Sequence, residues 1–542
     1  MLLTVSVGAS ELTIMPTLES TFYKFKIKSL NETLARDEFV LANDLLVRSN
    51  YTNRYLESNL EANLNSIRYS ESKVANVSTL DFKWHNVAKF RDDNLLFKGG
   101  IVNKKQTFDT IRGGFSDDFF NDDTSATLII DTLGMTYRIP ASNYLDGKFD
   151  HLYDSRRVKY VVDKNTSAFT TNESSLRIGH YEDPNGLYIS IEGKINRQDR
   201  QIADDFSNSE TSGTIRLPLF NTYYFVINGF NGEYKNDSAA DGFNFSNDEI
   251  GTEKTIFGSG FAWVRSHSGK YIQITREYDV EKDKYYIGGN AQWTLGGRLV
   301  LNGTLTRRFY GEKKGYSLSY IGKKNSFSFR YSEDVRLSYL LLATNVVEGV
   351  YICSPVDNDF SEFDPNICRL PDTLNTELQQ GELLVTNINT EFPLVDRLLF
   401  EGKFNVDWQY QGVKWSHKLS LVDLGIQDLE FANNQDHFEG FFDSSYELTN
   451  TSSIEVEWRF RTTEVYKERG DPSKGSIDRL YGLSYHKNLN TVASWAVGIK
   501  HINHQDSTGE YNFVDNRVYL SYKYHFGKQN DYRRDFFPMT VK

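Results

Sequence analysis

The chain has 542 residues and a net charge of −12, with 33 Tyr and 37 Phe in a sequence whose mean hydropathy is only −0.52. So many aromatics in a polar chain fit strands with one greasy face, and fit poorly a soluble α/β enzyme, whose buried parallel strands read as continuous apolar runs. No apolar run approaches the ~18 residues of a membrane-spanning helix, which excludes a helical membrane protein and leaves open a barrel, whose strands never look hydrophobic in bulk. The negative charge, with no basic stripe or tail, disfavours a nucleic-acid partner.

In chain order, Met1–Val7 is apolar and Gly8-Ala9-Ser10 is small. Residues 1–10 therefore read as the remnant of a secretory signal, with mature protein beginning near Glu11. Strands are predicted around Thr13–Ile27, Phe39–Ser49, Asn59–Tyr69, Leu80–Phe90 and Leu95–Val102. Gly113–Asp123 carries Asp117, Asp118, Asp122 and Asp123; it reads as a solvated acidic loop, with Ca²⁺ binding as the rarer alternative. Further strands are predicted near Ala126–Ile139, Val158–Val162, Ser175–His180, Gly186–Asn196, Gly213–Leu219 and Tyr223–Gly232. Asn236–Asn247 is rich in Asn, Asp, Ser and Gly and reads as an exposed loop.

From Thr255 the hairpins sharpen. Ile287, Gly289, Ala291, Trp293 and Leu295 alternate with Gly288, Asn290, Gln292 and Thr294. Short connections near His267–Lys270, Leu295–Arg298 and Gly322–Asn325 alternate with longer charged ones near Asp279–Lys284 and Phe309–Gly315, as in a barrel with short periplasmic turns and longer outer loops. Thr306-Arg307-Arg308-Phe309-Tyr310-Gly311, Tyr316-Ser317-Leu318-Ser319-Tyr320 and Phe327-Ser328-Phe329-Arg330-Tyr331-Ser332-Glu333-Asp334 follow one another here. This stretch resembles the signature of the PEP-CTERM system-associated outer-membrane β-barrels, found with exopolysaccharide and exosortase gene clusters. The resemblance rests on about 30 residues. It implies passage of a polysaccharide through the outer membrane, with periplasmic export or co-polymerase components as partners.

Arg336–Gln380 breaks the alternation and holds Cys353, Cys368 and three prolines. Two cysteines this close in one polar segment read as a local disulfide in an oxidising compartment, with two unrelated thiols as the alternative. The segment is an expected lid or partial plug. Alternation then resumes. Phe404, Val406 and Trp408 oppose Lys403, Asn405 and Asp407; Ile454, Val456, Trp458 and Phe460 oppose Glu455, Glu457, Arg459 and Arg461. The last run, Arg517–Phe526, puts Val518, Leu520, Tyr522, Tyr524 and Phe526 on one face and resembles the recognition strand that ends outer-membrane barrels. Residues 527–542 read as a C-terminal tail.

No nucleophile elbow, P-loop, H-E-x-x-H or dinucleotide fingerprint is present, so no catalytic or metal residue is assigned and the expectation is a non-enzyme without cofactor. His501 and His504 read as surface histidines in a loop. The expected fold is one antiparallel up-and-down transmembrane β-barrel over residues 11–526, with the Cys-containing loop at 336–380. At roughly 22–28 residues per strand and connection it has about 18–24 strands. The lumen-facing candidates are Arg307, Lys403, Asp407, Glu455, Glu457, Arg459 and Arg461; Leu305, Phe404, Val406, Val456, Trp458 and Phe460 should face lipid. The function expected is a polar conduit for exopolysaccharide in the outer membrane, or alternatively a general porin or structural scaffold.

Overall fold

The computed structural model describes residues 5–7, 10–29, 35–70, 76–91, 94–107, 125–139, 146–160, 166–179, 187–200, 205–236, 253–265, 270–295, 298–308, 311–341, 344–353, 368–369, 383–391, 394–428, 434–466, 474–507, 509 and 512–526. The acidic loop Gly113–Asp123, most of Asn236–Asn247 and the tail 527–542 lie outside the described residues.

Strands from Ser10–Ser29 to Asn325–Leu341, and from Leu394–Gln411 to Phe513–His525, each pair antiparallel with the next in sequence. Ser10–Ser29 pairs on one side with Arg36–Thr52 and on the other with Phe513–His525, so first and last strands meet. The result is a closed antiparallel barrel of 24 strands, with no helix among the described residues. Closure matters physically, because it leaves no sheet edge and satisfies the backbone of every strand within the wall. Val5–Val7 extends the ladder where the last strand stops: Val5 pairs with Leu12, while the last strand reaches only from Phe513 to His525, opposite Thr17.

Connections leave the barrel alternately from two ends. At one end they are tight, including 53–55, 221–222, 322–324, 412–414 and 450–451, and none is longer than 180–187. Asn221 sits in its two-residue turn at a positive φ of 47°, a conformation Asn tolerates. At the other end the barrel strands are joined by longer connections, 108–124 and 237–252 among them. An even strand number brings both ends of the barrel chain to the tight-turn end.

Three local expectations change. Phe309–Gly315 is no long loop: Arg308 pairs with Gly311, Arg307 with Glu312 and Thr306 with Lys313, leaving only 309–310 between strands. Its charges fit a strand because they have partners, with Lys313 Nζ 2.9 Å from Asp334 and Lys314 Nζ 3.1 Å from Glu312. Asp146–Tyr160 is one 15-residue strand, although only its end shows alternation in sequence. The segment after Arg336 is also structured. The barrel strand runs on to Leu341, and Ser338–Asp396 forms a compact unit of its own. That unit holds a three-stranded antiparallel sheet in the order Cys368–Arg369, Thr344–Cys353, Leu383–Glu391.

Candidate permeation path

Directly opposed residues in an antiparallel ladder point to the same side of the sheet. Following the register from strand to strand therefore divides the whole barrel wall into two faces. Glu457 opposes Asp443 and Gly482; Gly482 opposes Lys500; Lys500 opposes Arg517. In the other direction, Asp443 opposes Lys418 and Lys418 opposes Gln409. The Ser328 hydroxyl lies 3.4 Å from Asp407, and the Phe329 and Phe404 rings are in contact at 5.2 Å on the other face. One face thus carries the charges and most polar side chains, interrupted by buried apolar clusters at Ile27, Val40, Ile67, Leu480 and Phe513 and at Tyr224, Val226 and Ala262, and the other face is apolar.

Exposure identifies the sides. On the neighbouring strands Glu253–Arg265, Lys270–Asp279 and Lys284–Leu295, the apolar residues Phe261, Ile274 and Ile287 are 63%, 60% and 72% exposed. On the polar side of the middle strand, Gln273, Thr275 and Glu277 are only 5%, 1% and 5% exposed. Apolar out and polar in inverts a water-soluble protein and matches a wall between lipid and an aqueous interior. Polar groups on the outer side pair with one another, as in Ser20 Oγ to Asn43 at 2.8 Å and Arg157 to Asp131 at 2.7 Å.

The register places Lys403, Asp407, Glu455, Glu457, Arg459 and Arg461 on the inner side, and Phe404, Val406, Val456, Trp458 and Phe460 on the outer side. Arg307 is different. By alternation it shares the side of Leu305, but pairing to the preceding strand ends at Gly289–Leu305. Freed from that ladder, its guanidinium lies 3.3 Å from the Tyr286 ring centroid and 4.0 Å from Asp279, buried beside the inner-face Lys254–Asp279 ion pair.

Most inner charges are paired. Arg459 Nε is 2.7 Å from Glu457, Lys500 Nζ 3.3 Å from the same carboxylate, and His486 Nε2 3.1 Å from Glu455. These groups, with Tyr23, Tyr519 and Lys523, line a cavity of about 520 Å³. Tyr519 lies flat over Gly498, where an added Cβ would sit 2.6 Å from the ring; a glycine in a strand permits such close approach. The stretch from Leu299 to Leu341 adds Arg308, Lys313, Arg330 and Asp334 to the inner surface around a patch of uncharged polar side chains. Asn302 Nδ2 donates to Ser317 at 3.0 Å, with Thr304, Ser319 and Ser328 beside them.

Sequence reading missed a buried network on this side. His504 belongs to the strand Ala493–Asp506 and is fully buried rather than a surface loop residue. Its carboxylate partner is Asp478, 26 positions away but directly opposite in the register, with Nδ1 2.6 Å from Oδ1. Arg461 Nη2 donates to the other oxygen of Asp478 at 2.6 Å. Next to it, Arg517 donates to Asp515 at 2.6 Å.

This chain is an outer-membrane β-barrel protein. Neither the comparison with protein-family models nor that with curated proteins returned a match. Among solved structures, the chain is similar to the siderophore receptor PirA of Acinetobacter baumannii, at 10% identity and TM-score 0.45 over 95% of this chain and 80% of that one. It is also similar to the ferric enterobactin receptor of Pseudomonas aeruginosa, at 6% identity and TM-score 0.41 over 94% and 80%. OpdK of Pseudomonas aeruginosa, solved with vanillate, matches at 9% identity and TM-score 0.32 over 95% and 99%. Likeness this distant adds nothing to the reading of the site, which rests on the closed ladder and its two faces.

Proposed function

We propose that the barrel is an outer-membrane conduit for an exopolysaccharide, a non-enzymatic member of the PEP-CTERM-associated barrels that its 306–334 stretch resembles. The observation that carries the reading is the inner face, which bears polar and charged side chains over much of the wall, apart from the apolar clusters around Val40 and around Val226. A hydrated polysaccharide cannot cross hydrocarbon, since its hydroxyls would lose their water partners without replacement. Where the inner wall presents Asn, Ser and Thr side chains interspersed with paired charges, it offers those hydroxyls donors and acceptors. Pairing also keeps either sign from dominating, which suits a flexible polar chain better than a purely anionic or cationic solute. Tyr519 and Tyr23, with rings 6.0 Å apart, add apolar faces for the C–H side of a sugar ring.

The test is deletion of the gene. The expected result is loss of surface polysaccharide or biofilm matrix, with polymer retained in the periplasm. Normal export of every surface polysaccharide would overturn the conduit and leave a general porin or scaffold.

A further inference from the structure

The tight-turn end of the barrel has a charge asymmetry that the permeation path does not use. Around the first part of the wall its turns carry acids, in Arg91-Asp92-Asp93-Asn94 and in 180–187 with Glu182 and Asp183. Between Leu295 and Ala493 the turns 296–298, 322–324, 412–414, 450–451 and 489–492 contain Arg298, Lys323, Lys324 and Lys414 and no acid.

These turns form one continuous rim. Ile321 N donates to Arg298 O at 2.9 Å, Gln411 N to Lys324 O at 2.7 Å, and Glu447 N to Lys414 O at 2.8 Å. Asn488 N then donates to Thr451 O at 2.8 Å. Two strand spacings separate successive turns, so the four cations spread over roughly 20 Å. Lys323, Lys324 and Lys414 are exposed.

Apolar groups of the outer face flank the rim. Tyr320 is 38% exposed on the outer side, beside its turn, and Val413 is 82% exposed in its own. Trp415 and Tyr446 stack at 4.5 Å, with His417 against Trp415 at 5.5 Å. At the neighbouring hairpin Trp263 and Trp293 stack at 5.4 Å, with Lys270 Nζ 4.8 Å from the Trp293 centroid.

Aromatics that pair an apolar body with a polar edge settle at the headgroup level, and basic residues beside them attract anionic headgroups. We propose that this rim, from Arg298 to Trp415, binds anionic phospholipid of the periplasmic leaflet. The phosphate sits against Lys323, Lys324 and Lys414, and the acyl chains lie along Tyr320, Trp415 and Tyr446. The occupant is a lipid rather than an acidic protein because the exposed cations of the turns stand directly beside the outward aromatics Tyr320, Trp415 and Tyr446.

The experiment reconstitutes the full-length barrel in nanodiscs of phosphatidylcholine containing phosphatidylglycerol. Native mass spectrometry counts the lipids retained on the ejected protein. The expected result is enrichment of phosphatidylglycerol, reduced about tenfold or more in the triple variant Lys323→Gln, Lys324→Gln, Lys414→Gln. Arg54→Gln, at a tight turn elsewhere on the same end, should leave the enrichment unchanged. A gel shift between unheated and boiled samples confirms that each variant forms the barrel; if the triple variant does not, the single Lys414→Gln variant is read instead, with a partial loss expected. Equal retention of the two lipids by the unaltered protein overturns the proposal. So does enrichment that survives in the variants, or that falls as far with Arg54→Gln.

Discussion

Val456 and Glu457 are neighbours in sequence and lie on opposite sides of the wall, Val456 outward and 43% exposed, Glu457 inward beside Arg459 and Lys500. Arg or Lys on the lipid side costs about 2–4 kcal/mol near the midplane, while lumen substitutions mainly tune selectivity. Val456→Arg should therefore lower the yield of heat-modifiable barrel in membranes much more than Glu457→Arg, as read by immunoblot of unboiled samples. Equal losses would mean the faces are misassigned. A second residue-scale prediction concerns Asp478. Removing one partner of a buried ion pair costs about 3–5 kcal/mol, because the other charge is left without compensation. Asp478→Ala removes the buried carboxylate that Arg461 and His504 share, so its urea midpoint in detergent should fall well below that of Asp407→Ala, whose carboxylate accepts from Ser420 at 2.7 Å at a less buried position. The charges at 455–461 stand out in sequence because a period of two is local. His504 does not, because its partner is supplied by strand register; Arg307 was read as lumen-facing although it alternates with Leu305, and its inward position comes from the end of the preceding ladder rather than from the period.

At the scale of the element, strands were legible wherever one face stayed apolar over several residues, as in 398–410 and 454–460. Asp146–Tyr160 was missed because charge falls on both of its faces: Asp150 and Arg156 inward, Arg157 outward, each with a partner on its own or a neighbouring strand. Lys313 and Lys314 read as a loop for the same reason. The sheet in Ser338–Asp396 was hidden by the prolines between its strands, whereas its backbone pairs Cys353 directly with Cys368. Opposed positions of an antiparallel pair have Cα atoms about 4.5–5.5 Å apart, within the range a disulfide spans. The bridge expected from sequence is therefore compatible with this register. Protein purified without reductant and then denatured should show no titratable thiol, and two after reduction. In the entropic account a loop of about 15 residues is stabilised by about 3 kcal/mol, so reduction should increase proteolysis within 338–396 before the barrel melts. Two free thiols at the outset would refute the bridge.

For the whole molecule, the connections define an orientation. Barrels of this class keep short turns in the periplasm and place longer connections outside. Here the connections 108–124 and 237–252 share one end, and turns such as 221–222 and 412–414 share the other. This asymmetry was only partly legible in sequence, since each connection's length depends on strand bounds, and those were blurred where charged residues continue a strand. The assignment places Val413, 82% exposed at its turn, in the periplasm and residues 237–252 at the cell surface. A single cysteine at Val413, in a background with Cys353 and Cys368 replaced by serine, should resist a membrane-impermeant maleimide on intact cells and react once the outer membrane is opened. An epitope inserted between Asn236 and Glu253 should bind antibody on intact cells. Labelling of Val413→Cys from outside, with the epitope masked, would invert the barrel. It would also move the basic rim from the phospholipid leaflet to the cell surface.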